Sequence, residues 1–261
     1  MRQQQRWSRL LEMLAETGQL GIEDTAAALG VSSATVRRDF DQIAEQQLAV
    51  RTRGGLTATS VSYDLPLRYK SARAAEEKQR IAAAAAAMVA PGSVVGLNGG
   101  TTTTEVARAL AMRVDFERTA GTYGLTIVTN ALNIASELVL RPHIQVVLTG
   151  GTARPQSYEL VGPVAETMLA GVALDVAILG ADGLHTDHGV STSHEGEAKV
   201  NQIMAGRATR VLVVANGAKL GQRAFSRICP ITDVDTVVTD ESAPADEVRR
   251  FTELGLGVLR V

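Results

Sequence analysis

From its first turns the chain places apolar residues at helical spacing. Trp7, Leu10, Leu11 and Leu14 fall at i, i+3, i+4 and i+7, a single stripe that Gly18 brings to an end. A shorter helix from about Glu23 to Leu29 turns Ala26 and Leu29 inward. Gly30-Val31-Ser32 reads as a tight turn, because Gly30 accepts a positive φ and Ser32 or Ser33 can cap the next helix. The third helix, about Ser33 to Glu45, buries Val36, Phe40 and Ile43, which leaves Arg38 about 200° around the helix from Val36 and pointing outward. Beyond it, Leu48 to Arg51 and Leu56 to Thr59 flank Thr52-Arg53-Gly54-Gly55, the pattern of a hairpin. Helix, glycine turn, helix and hairpin outline a winged helix-turn-helix.

After Ile81 the pattern changes to β-branched runs alternating with amphipathic stretches. Six segments read as buried strands: Ser93 to Leu97, Leu125 to Val128, Ile144 to Leu148, Leu174 to Leu179, Arg210 to Val214 and Thr236 to Val238. Helices are expected at Thr104 to Met112, Ala131 to Leu140, Pro163 to Ala170, Glu195 to Arg207 and Pro244 to Leu254. Such alternation predicts an α/β fold, a mainly parallel sheet with helices on both faces. The small-polar stretch Thr59 to Pro66 reads as a linker, so the expected division is a DNA-binding domain at 1–58, a linker at 59–75 and an α/β domain at 76–261.

Composition narrows the function. The 261 residues carry 26 Lys plus Arg against 28 Asp plus Glu, a net charge of −2, so general basicity cannot be what holds a nucleic acid or membrane. Up to Ala58 seven arginines meet seven acids, and from Gln46 to Ala58 the only charges are Arg51 and Arg53. Any DNA contact must therefore come from placement. The lone Cys229 forms no intrachain disulfide or thiolate cluster, and the longest apolar run, Ile81 to Ala90, is short of a bilayer span. A cytoplasmic protein with no membrane association is expected.

On the third helix Ala34, Thr35 and Gln42 flank Arg38 on the exposed side and Arg37 lies at the edge, so Ser33, Thr35, Arg37, Arg38 and Gln42, with Arg51 and Arg53 at the hairpin, are the candidate DNA-binding residues. Arginine and glutamine suit guanine and adenine edges, and the remainder suit phosphates. An amphipathic three-helix piece can equally mediate protein contacts. Asp39 reads as an internal ion-pair or hydrogen-bond partner.

In the second half the polar residues gather at the carboxyl ends of strands, where open α/β sheets bind ligands. Asn98-Gly99-Gly100 lets backbone amides approach, and Thr101, Thr102 and Thr103 open a helix whose positive end favours an anion. Lys219 supplies a point charge in a matching loop, and Asn130 and Asp182 suit sugar hydroxyls. Thr149 and Gly150 close another strand, although strand-end Gly, Thr and Asn are also ordinary turn formers. Neither a P-loop nor a G-x-G-x-x-G fingerprint is present, and no cofactor is expected. His185, His188 and His194 lie at the uneven spacing of solvated loop histidines rather than of metal ligands.

The run Gly30 to Phe40 with its Arg37-Arg38 pair, followed by Leu48 to Gly55, resembles the DeoR family of bacterial transcriptional regulators. Gly100 to Thr102, Val128-Thr129-Asn130, Leu148 to Gly151, Gly162-Pro163, Asp175, Gly180, Glu197-Ala198 and Lys219 extend the likeness over nearly the whole chain. The resemblance implies that Arg37 and Arg38 lie on the recognition helix and that Arg51 and Arg53 lie on the wing. It also implies a sensor domain similar in fold to ribose-5-phosphate isomerase and coenzyme A transferases, with Glu197 in the effector site. Operator DNA and a phosphorylated sugar are the implied partners of a homodimer or homotetramer, acting as a repressor of carbohydrate genes. The sequence departs from the family at Phe40, Arg53, Asn98 and Asn216, the last two standing where an acid is usual. An isomerase-like enzyme with an appended DNA-binding module is the alternative, with Asp182 and Glu197 as its carboxylates.

Overall fold

A computed structural model of the chain describes residues 3–45, 49–57, 75–116 and 123–261. Two compact units emerge, Met1–Arg73 and Ala74–Val261. The expected linker at 59–75 lies, except for Ala75, outside the described residues, as do Leu48, Ala58 and Thr59 of the expected hairpin. No described helix is long and apolar enough to cross a membrane.

In the first unit α1 (Gln3–Thr17), α2 (Ile22–Leu29) and α3 (Ser33–Glu45) pack around Trp7, Leu10, Leu11, Leu14, Val36, Phe40 and Ile43, all buried. Gly18 and Gly30 close α1 and α2 with φ of 73° and 63°. Strand β1 (Gln19–Gly21) was not expected, since three residues show no alternation. The hairpin forms as β2 (Val50–Arg51) and β3 (Gly55–Thr57), and the three strands pair antiparallel in the order β1-β3-β2. Gly55 lets β1 approach: a Cβ there would lie 1.9 Å from the Leu20 carbonyl oxygen.

In the second unit the six expected strands appear as β4 (Val94–Leu97), β5 (Leu125–Thr129), β6 (Ile144–Leu148), β9 (Leu174–Gly180), β12 (Ala208–Val214) and β14 (Thr236–Thr239). A seventh, β15 (Gly257–Arg260), completes one sheet in the order β15-β14-β12-β9-β4-β5-β6, parallel throughout. Half-exposed β15 carries none of the continuous apolar text that marks its neighbours. Antiparallel additions also went unforeseen: β7 (Thr152–Ala153) with β8 (Leu160–Val161), and β10 (Gly183–His185) with β11 (Gly189–Thr192) and β13 (Ser226–Cys229).

Helices cover both faces of the sheet. On β9, Val176 and Ile178 join one core with Ile81 of α4 (Ala75–Ala87), Val106 and Leu110 of α5 (Thr101–Ala111) and Ile134 of α6 (Leu132–Leu138). Ala177 and Leu179 join the other with Leu169 of α7 (Pro163–Ala170), Met204 of α8 (Glu195–Gly206) and Phe251 of α9 (Ala245–Glu253). Helix α5 starts three residues before its expected beginning at Thr104. Its β-branched threonines favour helix weakly, but the Thr103 and Thr104 hydroxyls donate to the Gly100 carbonyl at 3.2 and 2.6 Å and fasten the first turn. Helix α6 is shorter than expected at both ends, leaving Val139 and Leu140 exposed beyond it. Strand order across the sheet reverses between β4 and β9, creating a switch point at their carboxyl ends, after Leu97 and at Gly180.

Candidate DNA-reading face and anion pocket

Helix α3 is seated by a buried polar cluster. Asp39, 1% exposed, accepts hydrogen bonds from Arg6 Nε, from Arg6 Nη2 at 2.9 Å and from Trp7 Nε1 at 2.9 Å, the internal role expected of it. With Asp39 turned inward, the opposite face presents the arginines. Arg38 on α3 and Arg53 in the hairpin are exposed, and among the described residues neither has a hydrogen bond or ion pair.

The other candidates of that face have partners. Ser32 Oγ accepts from the Thr35 amide at 3.2 Å and so caps α3, while Thr35 Oγ1 lies 2.9 Å from it. Ser33 donates to Glu23 at 2.8 Å, and Arg37 meets the same carboxylate at 3.8 Å across an exposed pair worth little energy. Gln42 accepts from Gln3 at 2.8 Å. Arg51, expected near a duplex backbone, is itself tied down within the unit. Its guanidinium binds Asp41 at 2.7 Å and the Thr52 and Gly55 carbonyls at 2.7 and 2.6 Å, and lies 5.7 Å from the centre of the Phe40 ring. It braces the hairpin against the recognition helix.

At the switch point of the sheet, Asn98 is 2% exposed and clasps the neighbouring strand end. Its Nδ2 donates to the Gly180 carbonyl at 3.0 Å and its Oδ1 accepts from the Gly180 amide at 2.8 Å. An ionised aspartate could only accept, so an amide suits both hydrogen bonds here. Gly100, at φ 142°, leads into α5 with no side-chain cap, which leaves the first-turn amides of Thr101, Thr102 and Thr103 for another acceptor. The Thr103 hydroxyl, by contrast, is turned back on Gly100.

Around this cradle the chain brings acids together. Glu159 lies against Gly99, where a Cβ would come 2.4 Å from Glu159 Cγ and 2.7 Å from Oε1. Asn130 Nδ2 donates to Glu159 Oε2 at 2.9 Å and to the Leu160 carbonyl at 3.3 Å, and Asn130 Oδ1, fully buried, has no partner among the described residues. Glu197 pairs with Arg154 at 2.9 Å and accepts from Thr192 at 3.3 Å. Asp182 accepts from Ser193 N and Oγ at 3.0 and 2.7 Å, with Lys219 Nζ at 3.5 Å. Burial pushes the Glu159 carboxyl up to about 8; Glu197 adds to the rise, the Asn130 hydrogen bond opposes it, Asp182 raises it further and Arg154 lowers it. The neutral acid form of Glu159 is therefore favoured well above the usual carboxylate range.

Asn98 to Thr103, Asn130, Asp182, Glu197 and Lys219 thus gather at one end of the sheet. Thr149 and Gly150 end β6, the edge strand, and among the described residues no hydrogen bond joins them to the acids. Asp240 proves structural, accepting from the Gly217 amide at 3.0 Å and from Ser242, which holds the turn bearing Lys219. Glu159 and Arg154 were missed. The only signal was a lone acid between Glu137 and Glu166, and nothing in its type or spacing aims it at Gly99. Elsewhere His194 Nδ1 accepts from the Gly196 amide at 3.1 Å and caps α8, and burial lifts the Cys229 thiol to about 12. Among the described residues no three His, Cys, Asp or Glu side chains gather as a metal site would require.

A helix-turn-helix with a wing and a parallel α/β unit with polar residues clustered at its switch point define a DNA-reading regulator with its own small-molecule sensor. Family models agree: the DeoR-like helix-turn-helix domain matches residues 6–61 and the DeoR C terminal sensor domain matches residues 73–241. The chain belongs to the DeoR family of transcriptional regulators. It is 33% identical over 256 residues to the HTH-type transcriptional regulator GlpR of Haloferax volcanii, covering 98% of this chain and 96% of that one. To the glycerol-3-phosphate regulon repressor of Escherichia coli K12 it is 30% identical over 253 residues, covering 97% of each. Ribose 5-phosphate isomerase A of Methanocaldococcus jannaschii aligns with a TM-score of 0.41 at 19% identity, over 56% of this chain and 54% of that one.

Proposed function

We propose that this regulator represses carbohydrate-utilisation genes, binding operator DNA through α3 and the wing and leaving it when a phosphorylated sugar fills the pocket. The observation that carries the reading is the pairing of an unengaged Arg38 on the recognition helix with an uncapped α5 N-terminus at the sheet's switch point. Arg38 and Arg53 make the principal contacts, with Ser33, Thr35, Arg37 and Gln42 around them and Arg51 holding the wing in place. In the pocket the Thr101 to Thr103 amides and Lys219 bind the phosphate, while Asn130 and Asp182 take sugar hydroxyls. The working division is a DNA-binding domain at 1–58, a linker at 59–75 and an effector and oligomerisation domain at 76–261. Two-fold operators call for a homodimer or homotetramer, and the DNA partner implies action in the cytoplasm.

Release follows from linkage: the effector binds more tightly to the form with low operator affinity. Turnover is not part of this reading, because Glu197 is engaged by Arg154 and Asp182 by Ser193 and Lys219, leaving neither as a free base. The test is a gel-shift titration at low salt with DNA from upstream of the protein's own gene. Wild type should shift the fragment, Arg38→Ala should bind at least tenfold more weakly, and a sugar phosphate but not the free sugar should release it. Equal binding by wild type and Arg38→Ala would sink the proposal. Turnover of ribose 5-phosphate that vanishes in Glu197→Ala would favour the isomerase reading.

A further inference from the structure

Glu159 has no task in the proposed function, yet it lies against Gly99 in the same cluster of polar residues. Its backbone is fixed: Leu132 N donates to the Tyr158 carbonyl at 2.9 Å, Leu160 N to the Asn130 carbonyl at 2.7 Å and Arg154 N to the Glu159 carbonyl at 2.9 Å. That register turns the side chain inward, 4% exposed, onto Gly99, the residue before the uncapped turn of α5. A side chain so held has little freedom to swing out when a ligand arrives. The charged groups around it are Glu197 at the start of α8, Asp182 after β9, Arg154 beside Glu197, and Lys219 beyond Asp182. The imidazole of His194 caps α8 through the Gly196 amide. The turn bearing Asn130 and the Gly99 loop contribute no charge.

An anion on the Thr101 to Thr103 amides would enter a space already facing three carboxyl groups. Arg154 is committed to Glu197 and Lys219 to Asp182, so Glu159 is the acid of the three without a basic partner in hydrogen-bonding contact among the described residues. We propose that Glu159 is a specificity-determining residue of the anion subsite and acts there as a neutral acid, so that binding of a tetrahedral dianion requires Glu159 to hold a proton. Asn130 supports the assignment. Its amide is held on Glu159 and Leu160, leaving Oδ1 as a buried acceptor for a ligand hydroxyl. The inference rests on the anion-pocket reading of the proposed function.

Sulfate is the probe, since its charge is constant across the pH range in which Glu159 titrates. With the full chain, sulfate affinity is followed between pH 7 and pH 9 by calorimetry or thermal shift. A carboxyl titrating near 8 makes wild-type affinity fall about tenfold over that interval, while Glu159→Gln, a permanent neutral mimic, stays within about twofold. Equal slopes in the two proteins, or none in wild type, overturn the proposal. Calorimetry of wild type alone at pH 8.5, in buffers of different ionisation enthalpy, gives a reading that needs no variant. It should show uptake of most of one proton per sulfate, and zero uptake overturns the proposal. Binding without proton linkage leaves the anion pocket standing and removes only the role of Glu159; absence of sulfate and phosphate binding at every pH removes both.

Discussion

The two units handle charge in opposite ways. In the first unit Asp39 is buried beneath Arg6 and Trp7, while Arg38 and Arg53 are exposed and, among the described residues, unengaged. In the sensing unit the polar residues that matter are enclosed and bound to one another: Asn98 to Gly180, Asn130 to Glu159, Glu197 to Arg154 and Asp182 to Ser193. On the proposed function the contrast follows from the size of what each unit recognises. A duplex is read from outside, where a solvated guanidinium reaches phosphate or base at small desolvation cost. A small anion would have to be surrounded, and buried polar groups that line such a site need internal partners of their own.

Substitutions that exchange these roles should separate the units. The largest effect is expected from Asp39→Ala, which strands the largely buried Arg6 guanidinium and the Trp7 indole N–H. A loss of about 3 kcal/mol is expected in chemical denaturation, confined to the first unit. If the second unit also weakens, the two are not separate folding units. Arg38→Ala leaves stability unchanged and costs roughly 2 kcal/mol of operator affinity, read from gel-shift titrations. Asn98→Asp removes the donor to the Gly180 carbonyl and should cost about 1–2 kcal/mol in the second unit alone, with DNA affinity retained.

Arg51 and Arg53 sharpen the comparison within one hairpin. Arg53→Ala should lower affinity by less than about 1 kcal/mol and flatten the salt dependence by about one unit of slope. Arg51→Ala should lower stability, because it removes the brace to Asp41 and the Gly55 carbonyl. A dependence on pH stands apart from these substitutions. Glu159 keeps in the folded state a proton that the unfolded chain has lost between about pH 4.5 and about 8, so stability declines as pH rises through that window. Melting should fall by about 3 °C per kcal/mol lost, and Glu159→Gln should abolish the trend.

The same contrast explains what could be read from the sequence. The face of α3 follows from 3.6-residue periodicity, so the outward placement of Arg38 was legible in the spacing of Val36, Phe40 and Ile43. The parallel strands were legible for a similar reason, since buried strands are continuous apolar runs. Half-exposed β15 and the two-residue β7 and β8 lack that mark, and pairing alone defines them. In the pocket, residues following strands could be found because the ends of parallel strands coincide in space. Glu159 and Arg154 arrive from a rim hairpin whose register no local pattern encodes. Arg51 shows the converse limit: a residue on the expected hairpin was legible, but its attachment to Asp41 and Gly55 was not.

Asn98 gives this regulator something its acidic neighbours cannot. An amide neither gains nor loses a proton over the range in which the chain is folded, so its two bonds to Gly180 keep the ends of β4 and β9 at one spacing whatever the acidity. An instrument needs a fixed reference against which its responsive part is measured. On the proposed function the reference is a neutral side chain spanning the point where the strand order of the parallel sheet reverses, and a ligand arriving above it meets a floor that does not drift.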